Sequence, residues 1–273
     1  MPFSSELITA SGSLSKILLT SPDNARAEIY LHGAHLTSWI PAGGEEQLFL
    51  SRKSEFRPGA AIRGGVPIIF PQFSNLGLFM RHGFARITPW AFVDAEAVAD
   101  NAVAATFQLR DSDATRKIWP YSFLAEFTAT LSGQRLKMSF AVTNNDSNPF
   151  SFTSALHTYF RVTDVGKTVI ENLRGVRYRD QVLGKDEVQS KASLKFNGEV
   201  NRIYFNAPPR LSLREGNRVT EIQATGFPDV VVWNPDAKNG AALSDLEPEG
   251  YRRFVCVEAA VIGMPVSLAP GES

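Results

Sequence analysis

Apolar and polar residues alternate in short segments along most of the chain, and turn residues separate these segments. A two-residue period places successive side chains on opposite faces of a strand, so each segment predicts a half-buried β-strand. The tripeptide Ser132-Gly133-Gln134 separates two such segments and predicts a hairpin. Strands are predicted at residues 16–19, 27–31, 36–40, 88–93, 103–109, 122–131, 136–143, 150–160, 168–171, 200–205, 210–213, 219–224, 230–233, 255–260 and 266–268.

Helical periodicity is scarce in this sequence. Only residues 95–100 and 238–246 are predicted to hold a turn or two of helix. Many short strands separated by turns indicate an all-β fold, either a large sandwich or a barrel. No linker, low-complexity segment or repeat interrupts the pattern, so a single domain over residues 1–273 is the simplest interpretation.

Charge and composition narrow the classes of partner. The chain has 28 basic and 28 acidic residues, so its net charge does not favour a nucleic acid or an acidic membrane as partner. Its one cysteine, Cys256, excludes an intrachain disulfide, and no apolar run is long enough to span a bilayer. The first residues lack the pattern of a signal peptide. We therefore expect a cytoplasmic protein, with a monomer as the default.

Residues 60–90 contain the densest cluster of special residues, with glycines and prolines interrupting apolar runs. Arg63, Arg81, His82 and Arg86 lie within this segment. A buried arginine is costly unless it meets an anion, which is either an internal carboxylate or a bound ligand such as phosphate. The sequence leaves these two possibilities open. Glycines beside Arg63 and Arg86 would allow a ligand to approach the backbone.

His157 and Glu258 are candidates for acid–base chemistry. Glu258 lies in an otherwise apolar strand, where a carboxylate is expensive unless it is paired or functional. A pair with one of the arginines is the structural alternative for Glu258. For His157 the structural alternative is a core histidine that is hydrogen-bonded to a neighbour.

Other motifs carry less information. His32 and His35 are three residues apart, so on a strand they point to opposite faces, and no third ligand is evident; we expect no metal site. P-loop, Rossmann, zinc-ribbon and G-x-S-x-G motifs are missing from the sequence, which disfavours those classes of site. Trp39, Trp119 and Trp233 are candidates for stacking on a sugar, although core packing is favoured for most of them.

Five motifs together resemble the hexose-6-phosphate mutarotases, also called glucose-6-phosphate 1-epimerases, of the wider aldose 1-epimerase group. They are A-I-R-G-G-V-P-I-I-F-P-Q-F, R-H-G-F-A-R, A-L-H-T-Y-F, V-V-W-N-P and C-V-E-A-A, in family order. The resemblance implies a galactose mutarotase-like β-supersandwich. It also implies interconversion of the α and β anomers of a hexose 6-phosphate, with a small-molecule sugar phosphate as partner and without cofactor or metal.

The resemblance also implies roles for individual residues. His157 and Glu258 match the catalytic pair, and Arg63 and Arg86 match the residues that bind the substrate and its phosphate. His82, in the same motif as Arg86, belongs with the substrate-binding residues.

Two substrate-binding positions depart from the family pattern. Arg81 stands where glutamine is frequent, and Asn201 replaces a sugar-binding aspartate. Asparagine keeps an acceptor oxygen but loses the charge. These departures leave the preferred hexose open.

In the expected mechanism, ionised Glu258 takes the proton of the anomeric hydroxyl and protonated His157 gives a proton to the ring oxygen. We expect the neighbouring carboxylate to raise the pKa of His157. Three alternatives stay open at this point: a mutarotase for free aldoses, a non-catalytic carbohydrate-binding β-sandwich, and a purely structural β-domain.

Overall fold

The computed structural model describes residues 3–10, 14–98 and 101–273. Within them the chain is mostly β-strand, as the alternation predicts, and the strands form four sheets. The strands are β1 (Ser4–Thr9), β2 (Ser15–Thr20), β3 (Arg26–Tyr30), β4 (His35–Ile40), β5 (Ile68–Ile69), β6 (Ala91–Val98), β7 (Ala102–Arg110), β8 (Phe123–Ser132), β9 (Arg135–Asn144), β10 (Phe150–Leu156), β11 (Tyr159–Arg161), β12 (Thr168–Glu171), β13 (Arg177–Asp180), β14 (Lys185–Val188), β15 (Ser193–Lys195), β16 (Val200–Tyr204), β17 (Arg210–Glu215), β18 (Arg218–Gln223), β19 (Asp229–Asn234) and β20 (Phe254–Leu268).

The helices are short. They are α1 (Asp113–Arg116), α2 (Asp236–Ala241) and the 3-10 helices Ala85–Ile87, Val165–Lys167 and Gly250–Arg253. Among the described residues, no helix is both long and apolar enough to cross a membrane.

The largest sheet has eight strands and carries the site described below. Its order is β14-β13-β16-β19-β20-β10-β5, and β11 also pairs with β20. Three four-stranded sheets accompany it, with the orders β1-β2-β3-β4, β6-β7-β8-β9 and β15-β12-β17-β18. The paired strands run antiparallel, and consecutive strands are usually neighbours.

Two main apolar cores join these sheets. The larger core combines Ile29 of β3, Phe107 of β7 and Phe127 of β8 with Ile68 and Leu156 from one end of the large sheet. The second core joins strands β16, β19 and β20 to the sheet of β12 and β17. Apolar burial on this scale is the main favourable term in folding, and here it also anchors the large sheet from two sides.

Phe70 is the hub of an aromatic cluster directly before the segment that enters the site. It is fully buried, and its ring lies 5.2–6.1 Å between centroids from five other rings. These rings belong to Phe84, Trp119, Phe123, Phe140 and Phe152. The cluster holds the start of residues 71–86 against the larger core.

Two glycines of the segment 60–90 allow close packing of the protein's own backbone. A Cβ on Gly64 would lie 2.3 Å from the Phe49 carbonyl oxygen, and one on Gly83 would lie 2.1 Å from the Phe70 carbonyl oxygen. Both residues also have positive φ values, 114° and 65°. At these two glycines the close backbone is therefore the protein's own.

Two sequence expectations about helices have different outcomes. The expected turn at residues 95–100 is wrong for residues 95–98, which belong to β6, while residues 99–100 lie outside the described residues. Pairing of β6 along β7 overrides the helix preference of the alanines there. The second expectation is confirmed in part, because α2 covers residues 238–241 of the predicted 238–246.

Candidate active site

One face of the large sheet brings together most of the predicted site residues. Residues directly opposite each other on neighbouring strands share a face of the sheet, so the strand register defines two rows. The first row is Asn201, Trp233, Cys256 and Tyr159, and the second is Ile203, Val231 and Glu258.

His157 and Glu258 meet on this face. His157 directly follows β10, where its backbone N–H donates to the Pro67 carbonyl, and Glu258 lies within β20. The Nε2 atom of His157 is 3.4 Å from Oε1 of Glu258, and both side chains are buried. Glu258 therefore pairs with a histidine, not with an arginine. The other two polar atoms, Nδ1 of His157 and Oε2 of Glu258, are buried without hydrogen-bond partners among the described residues.

Burial shifts both pKa values of this pair towards the neutral forms. It raises the pKa of Glu258 well above 4.5. Burial also lowers the pKa of His157 well below 6.5, and the nearby His82, Arg86 and Arg63 act in the same direction. The expectation that the carboxylate raises the pKa of His157 is therefore wrong, because loss of solvent outweighs the attraction. Both directions favour the form of the pair in which the carboxyl group and the imidazole are uncharged.

His82 forms one wall beside the pair. Its backbone adopts the left-handed conformation with φ of 67°, and its ring lies 5.8 Å from that of His157 between centroids. Its Nδ1 accepts the Ser74 N–H at 3.3 Å, so the neutral ring carries its proton on Nε2. Burial, followed by repulsion from the arginines, lowers the pKa of His82 to about 3. His82 is thus a neutral hydrogen-bond donor.

Arg63 has an internal carboxylate partner. Its Nε atom donates to Oδ1 and Oδ2 of Asp245 at 3.1 and 3.2 Å, and its Nη1 donates to the Tyr159 hydroxyl at 2.9 Å. Of the two anions considered for a buried arginine, an internal carboxylate or a bound ligand, Arg63 therefore has the internal carboxylate. Its Nη2 also lies 3.1 Å from Oδ2 of Asp245, so all three guanidinium nitrogens contact a partner.

His32 and His35 fix the backbone that presents Arg63. The Nε2 atom of His32 donates to the Ala60 carbonyl at 2.7 Å, and that of His35 donates to the Gly64 carbonyl at 2.8 Å. Both rings are buried and have structural roles. In the described part of the chain, no group of three or more His, Cys, Asp or Glu side chains is arranged to hold a metal ion.

Arg86 differs from Arg63 because it has no carboxylate partner among residues 3–10, 14–98 and 101–273. Its Nη2 donates to the Arg81 carbonyl at 3.2 Å, while its Nε is buried without a partner. Burial lowers its pKa to about 10, which leaves it charged at neutral pH. A cation held in this way favours an anionic ligand, since an anion would offset the lost hydration.

Arg81 and Asn201 have different surroundings in the structure. Arg81 is exposed, and the contact it makes to Arg86 comes from its backbone carbonyl. Asn201 lies on the site face, next to Trp233 but three strand positions away from Tyr159. At about 4.8 Å per strand, that places its Cα about 14 Å from that of Tyr159.

The site therefore combines groups that can exchange protons with a cation that can bind an anion. An imidazole and a carboxyl group lie 3.4 Å apart, with the ring of His82 beside them and a charged arginine within electrostatic range of His157. The Trp233 ring lies 5.9 Å from the His157 ring between centroids and adds an aromatic surface of the kind that sugars use for packing.

A family model described as Aldose 1-epimerase matches residues 15–273. The chain belongs to the aldose 1-epimerase family. It is 38% identical over 281 residues to a protein from Cenchrus ciliaris whose name gives it as a candidate glucose-6-phosphate 1-epimerase, covering 99% of this chain and 85% of that one. A protein from Escherichia coli K12 with the same name is 38% identical over 253 residues, 89% of this chain and 82% of that one.

A solved structure supports the same family assignment. The crystal structure of a candidate mutarotase, YeaD, from Salmonella typhimurium superposes with a TM-score of 0.89 at 33% identity, covering 99% of this chain and 90% of that one. The predicted galactose mutarotase-like β-sandwich is confirmed for this aldose 1-epimerase family member.

Sequence reasoning missed two residues of this aldose 1-epimerase site. Tyr159 follows His157 by two positions, and the period of a strand places both on one side, but the sequence gives Tyr159 no role in the site. Asp245 is 182 positions from Arg63 in sequence and lies in a loop, where no local pattern indicates its partner.

Substitution of Glu258 by Gln should stabilise the protein in a pH-dependent way. Because the pKa of Glu258 is raised in the folded protein, the folded state keeps a proton that the unfolded state releases above pH 4.5. Stability of the wild type then falls with rising pH relative to Glu258→Gln. Urea unfolding should show the difference in unfolding free energy growing between about pH 5 and pH 7.

The matched control is Glu171→Gln, since the Glu171 side chain is 33% exposed and paired with Arg214 in another sheet. The difference in unfolding free energy between Glu171→Gln and the wild type should change less with pH than that of Glu258→Gln. A Glu258→Gln difference that stays flat or shrinks as the pH rises would contradict the assigned pKa direction.

Proposed function

We propose that this protein interconverts the α and β anomers of a hexose 6-phosphate, with Glu258 as general base and His157 as general acid. The observation that carries the proposal is Arg86, a half-buried cation whose Nε is buried without a partner and which has no carboxylate partner among the described residues, beside a buried acid–base pair. Two relatives at 38% identity are named as candidate glucose-6-phosphate 1-epimerases, which supports the same substrate class.

The reaction needs two proton transfers in each direction. Ring opening removes the proton of the anomeric hydroxyl and adds one to the ring oxygen; rotation of the aldehyde and the reverse transfers complete the exchange. With one proton on the pair, the neutral form has it on Glu258 and the ionised form has it on His157, so the two forms differ only by moving that proton between groups 3.4 Å apart. Either form therefore contains one acid and one base.

The phosphate of the substrate favours the ionised form of the pair. Burial is the main cause of the lowered pKa of His157, and positive charge on Arg86 and Arg63 adds to it; a bound dianion would offset that charge. His157 then becomes the imidazolium that protonates the ring oxygen, while Glu258 becomes the carboxylate that takes the hydroxyl proton. The arginines would bind the phosphate and promote this transfer without touching the anomeric carbon.

The remaining predicted residues have supporting roles in this proposal. His82 offers its Nε2 proton to a sugar oxygen, and Trp233 packs against the sugar ring. Asn201 and Arg81 lie at the periphery, where they would influence which hexose is preferred.

Anomer exchange tests the reaction directly. NMR magnetisation exchange on glucose 6-phosphate should show faster α–β exchange with the protein than without it. His157→Asn and Glu258→Gln should each lose about 100- to 10,000-fold in rate, because each removes one proton-transfer group. Anomer exchange at the wild-type rate by either folded variant would contradict the assignment of His157 and Glu258 as the catalytic pair.

The substrate series in this experiment separates the alternatives. Faster exchange of free glucose or galactose alone would assign the protein as a mutarotase of free sugars. Binding of sugars without faster exchange would assign it as a carbohydrate-binding domain.

Arg86→Ala should raise KM for glucose 6-phosphate by about 10- to 100-fold, since a charge-assisted contact to phosphate is lost. The kinetic constants for free glucose should change little. Arg214→Ala is the control, because Arg214 pairs with Glu171 in a different sheet. Equal effects of Arg86→Ala on phosphorylated and free sugar would assign Arg86 a structural role instead.

Inorganic phosphate should raise the pKa of His157, because it offsets the charge of Arg86 and Arg63. NMR of the His157 imidazole across the pH range gives this pKa with and without phosphate, at matched ionic strength. Arg86→Ala should itself raise the pKa and weaken the response to phosphate. A pKa that phosphate leaves unchanged or lowers would contradict the proposed coupling.

A further inference from the structure

Within the described residues, no hydrogen bond to Nδ1 fixes the orientation of the His157 imidazole. Its Nδ1 is buried without a partner among the described residues, although a catalytic histidine is commonly oriented by a bond to its second nitrogen. Aromatic rings surround it instead. Tyr159 stacks on it at 4.8 Å with an angle of 9° between the planes, while Trp233 and His82 present edges at 5.9 and 5.8 Å.

Tyr159 is itself held at both ends. Its hydroxyl accepts the Arg63 Nη1–H at 2.9 Å, and Asp245 holds the same guanidinium through Nε. Its ring is 2% exposed and packs against Phe254 at 5.1 Å between centroids. Its backbone pairs with Cys256 of β20. The stacked ring is therefore more constrained than the imidazole that it covers.

We propose that Tyr159 is a positioning residue that sets the plane of the His157 imidazole, and that Arg63 acts on the reaction through Tyr159 as well as through the substrate. This inference rests on the proposed anomer exchange. Rotation of the imidazole out of its plane would drive its edge into the Tyr159 ring, so the stack holds Nε2 towards Glu258. A misplacement of about 1 Å in such a group costs up to about 100-fold in rate.

Two variants of Tyr159 separate the ring from its hydroxyl. Tyr159→Leu removes the stack, and its kcat should fall about 10- to 100-fold while KM changes less than about 3-fold. Tyr159→Phe keeps the ring but loses the bond to Arg63, so its kcat should lie between those of Tyr159→Leu and the wild type. A kcat of Tyr159→Phe that is higher than that of Tyr159→Leu identifies the aromatic ring as the positioning group.

The matched control is Tyr204→Phe. Tyr204 is fully buried in the second core, and its hydroxyl donates to Gln189 at 3.1 Å, away from His157. This variant should lose stability, measured as Tm, while keeping wild-type kcat. A Tyr204→Phe variant that loses kcat as far as Tyr159→Leu would overturn the proposal, because the loss would then follow general stability.

NMR of 15N-labelled histidine gives a readout that does not depend on turnover. The wild-type His157 imidazole should show one narrow set of ring-nitrogen signals, and Tyr159→Leu should broaden them through exchange between orientations. Unchanged line widths together with wild-type kcat in Tyr159→Leu would overturn the proposal. If the wild type does not accelerate anomer exchange, the proposed function is wrong. The positioning role is tested separately, because His157 ring-nitrogen signals that stay narrow in Tyr159→Leu would refute it.

Discussion

Loss of solvent around ionisable side chains is the constraint on which the chemistry of this site depends. Burial is the leading cause of the pKa shifts of His157, Glu258, His82 and Arg86, and in each case it favours the neutral form. For the two histidines and the glutamate, this shift is towards the uncharged form. Arg86 keeps its charge, so it retains an electrostatic preference for an anion.

The fold tolerates the buried carboxyl group of Glu258 because the opposite face of its strand packs into an apolar core. Glu258 lies in β20, between β19 on one side and β10 and β11 on the other. Its neighbour Val257 points into the second core, as does Val232 of β19. Apolar burial on one face thus offsets the cost of a carboxylate on the other, and backbone pairing on both sides leaves β20 little freedom to move the carboxylate.

The parts predicted from the sequence are those with a local cause. Alternation predicts the strands, and a carboxylate in an apolar strand singles out Glu258. The Arg63–Asp245 pair could not be predicted because tertiary structure alone brings the two residues together. The pKa direction of His157 also depends on burial, which the sequence does not specify. The single domain, the monomeric state and the cytoplasmic location stay predictions.

Arg63 and Arg86 show that two arginines of one motif cluster can have different physical roles. Asp245 and Tyr159 occupy much of the hydrogen-bonding capacity of Arg63, which makes its position rigid and connects it to the ring stacked on His157. Arg86 has a buried Nε without a partner among the described residues, so its charge is available to a ligand. An anion that bridges both guanidiniums would therefore contact Arg63, which is already oriented, and Arg86, whose unpaired positive charge the anion would stabilise most. This division explains how one binding event could both hold a phosphorylated sugar and influence the protonation of His157.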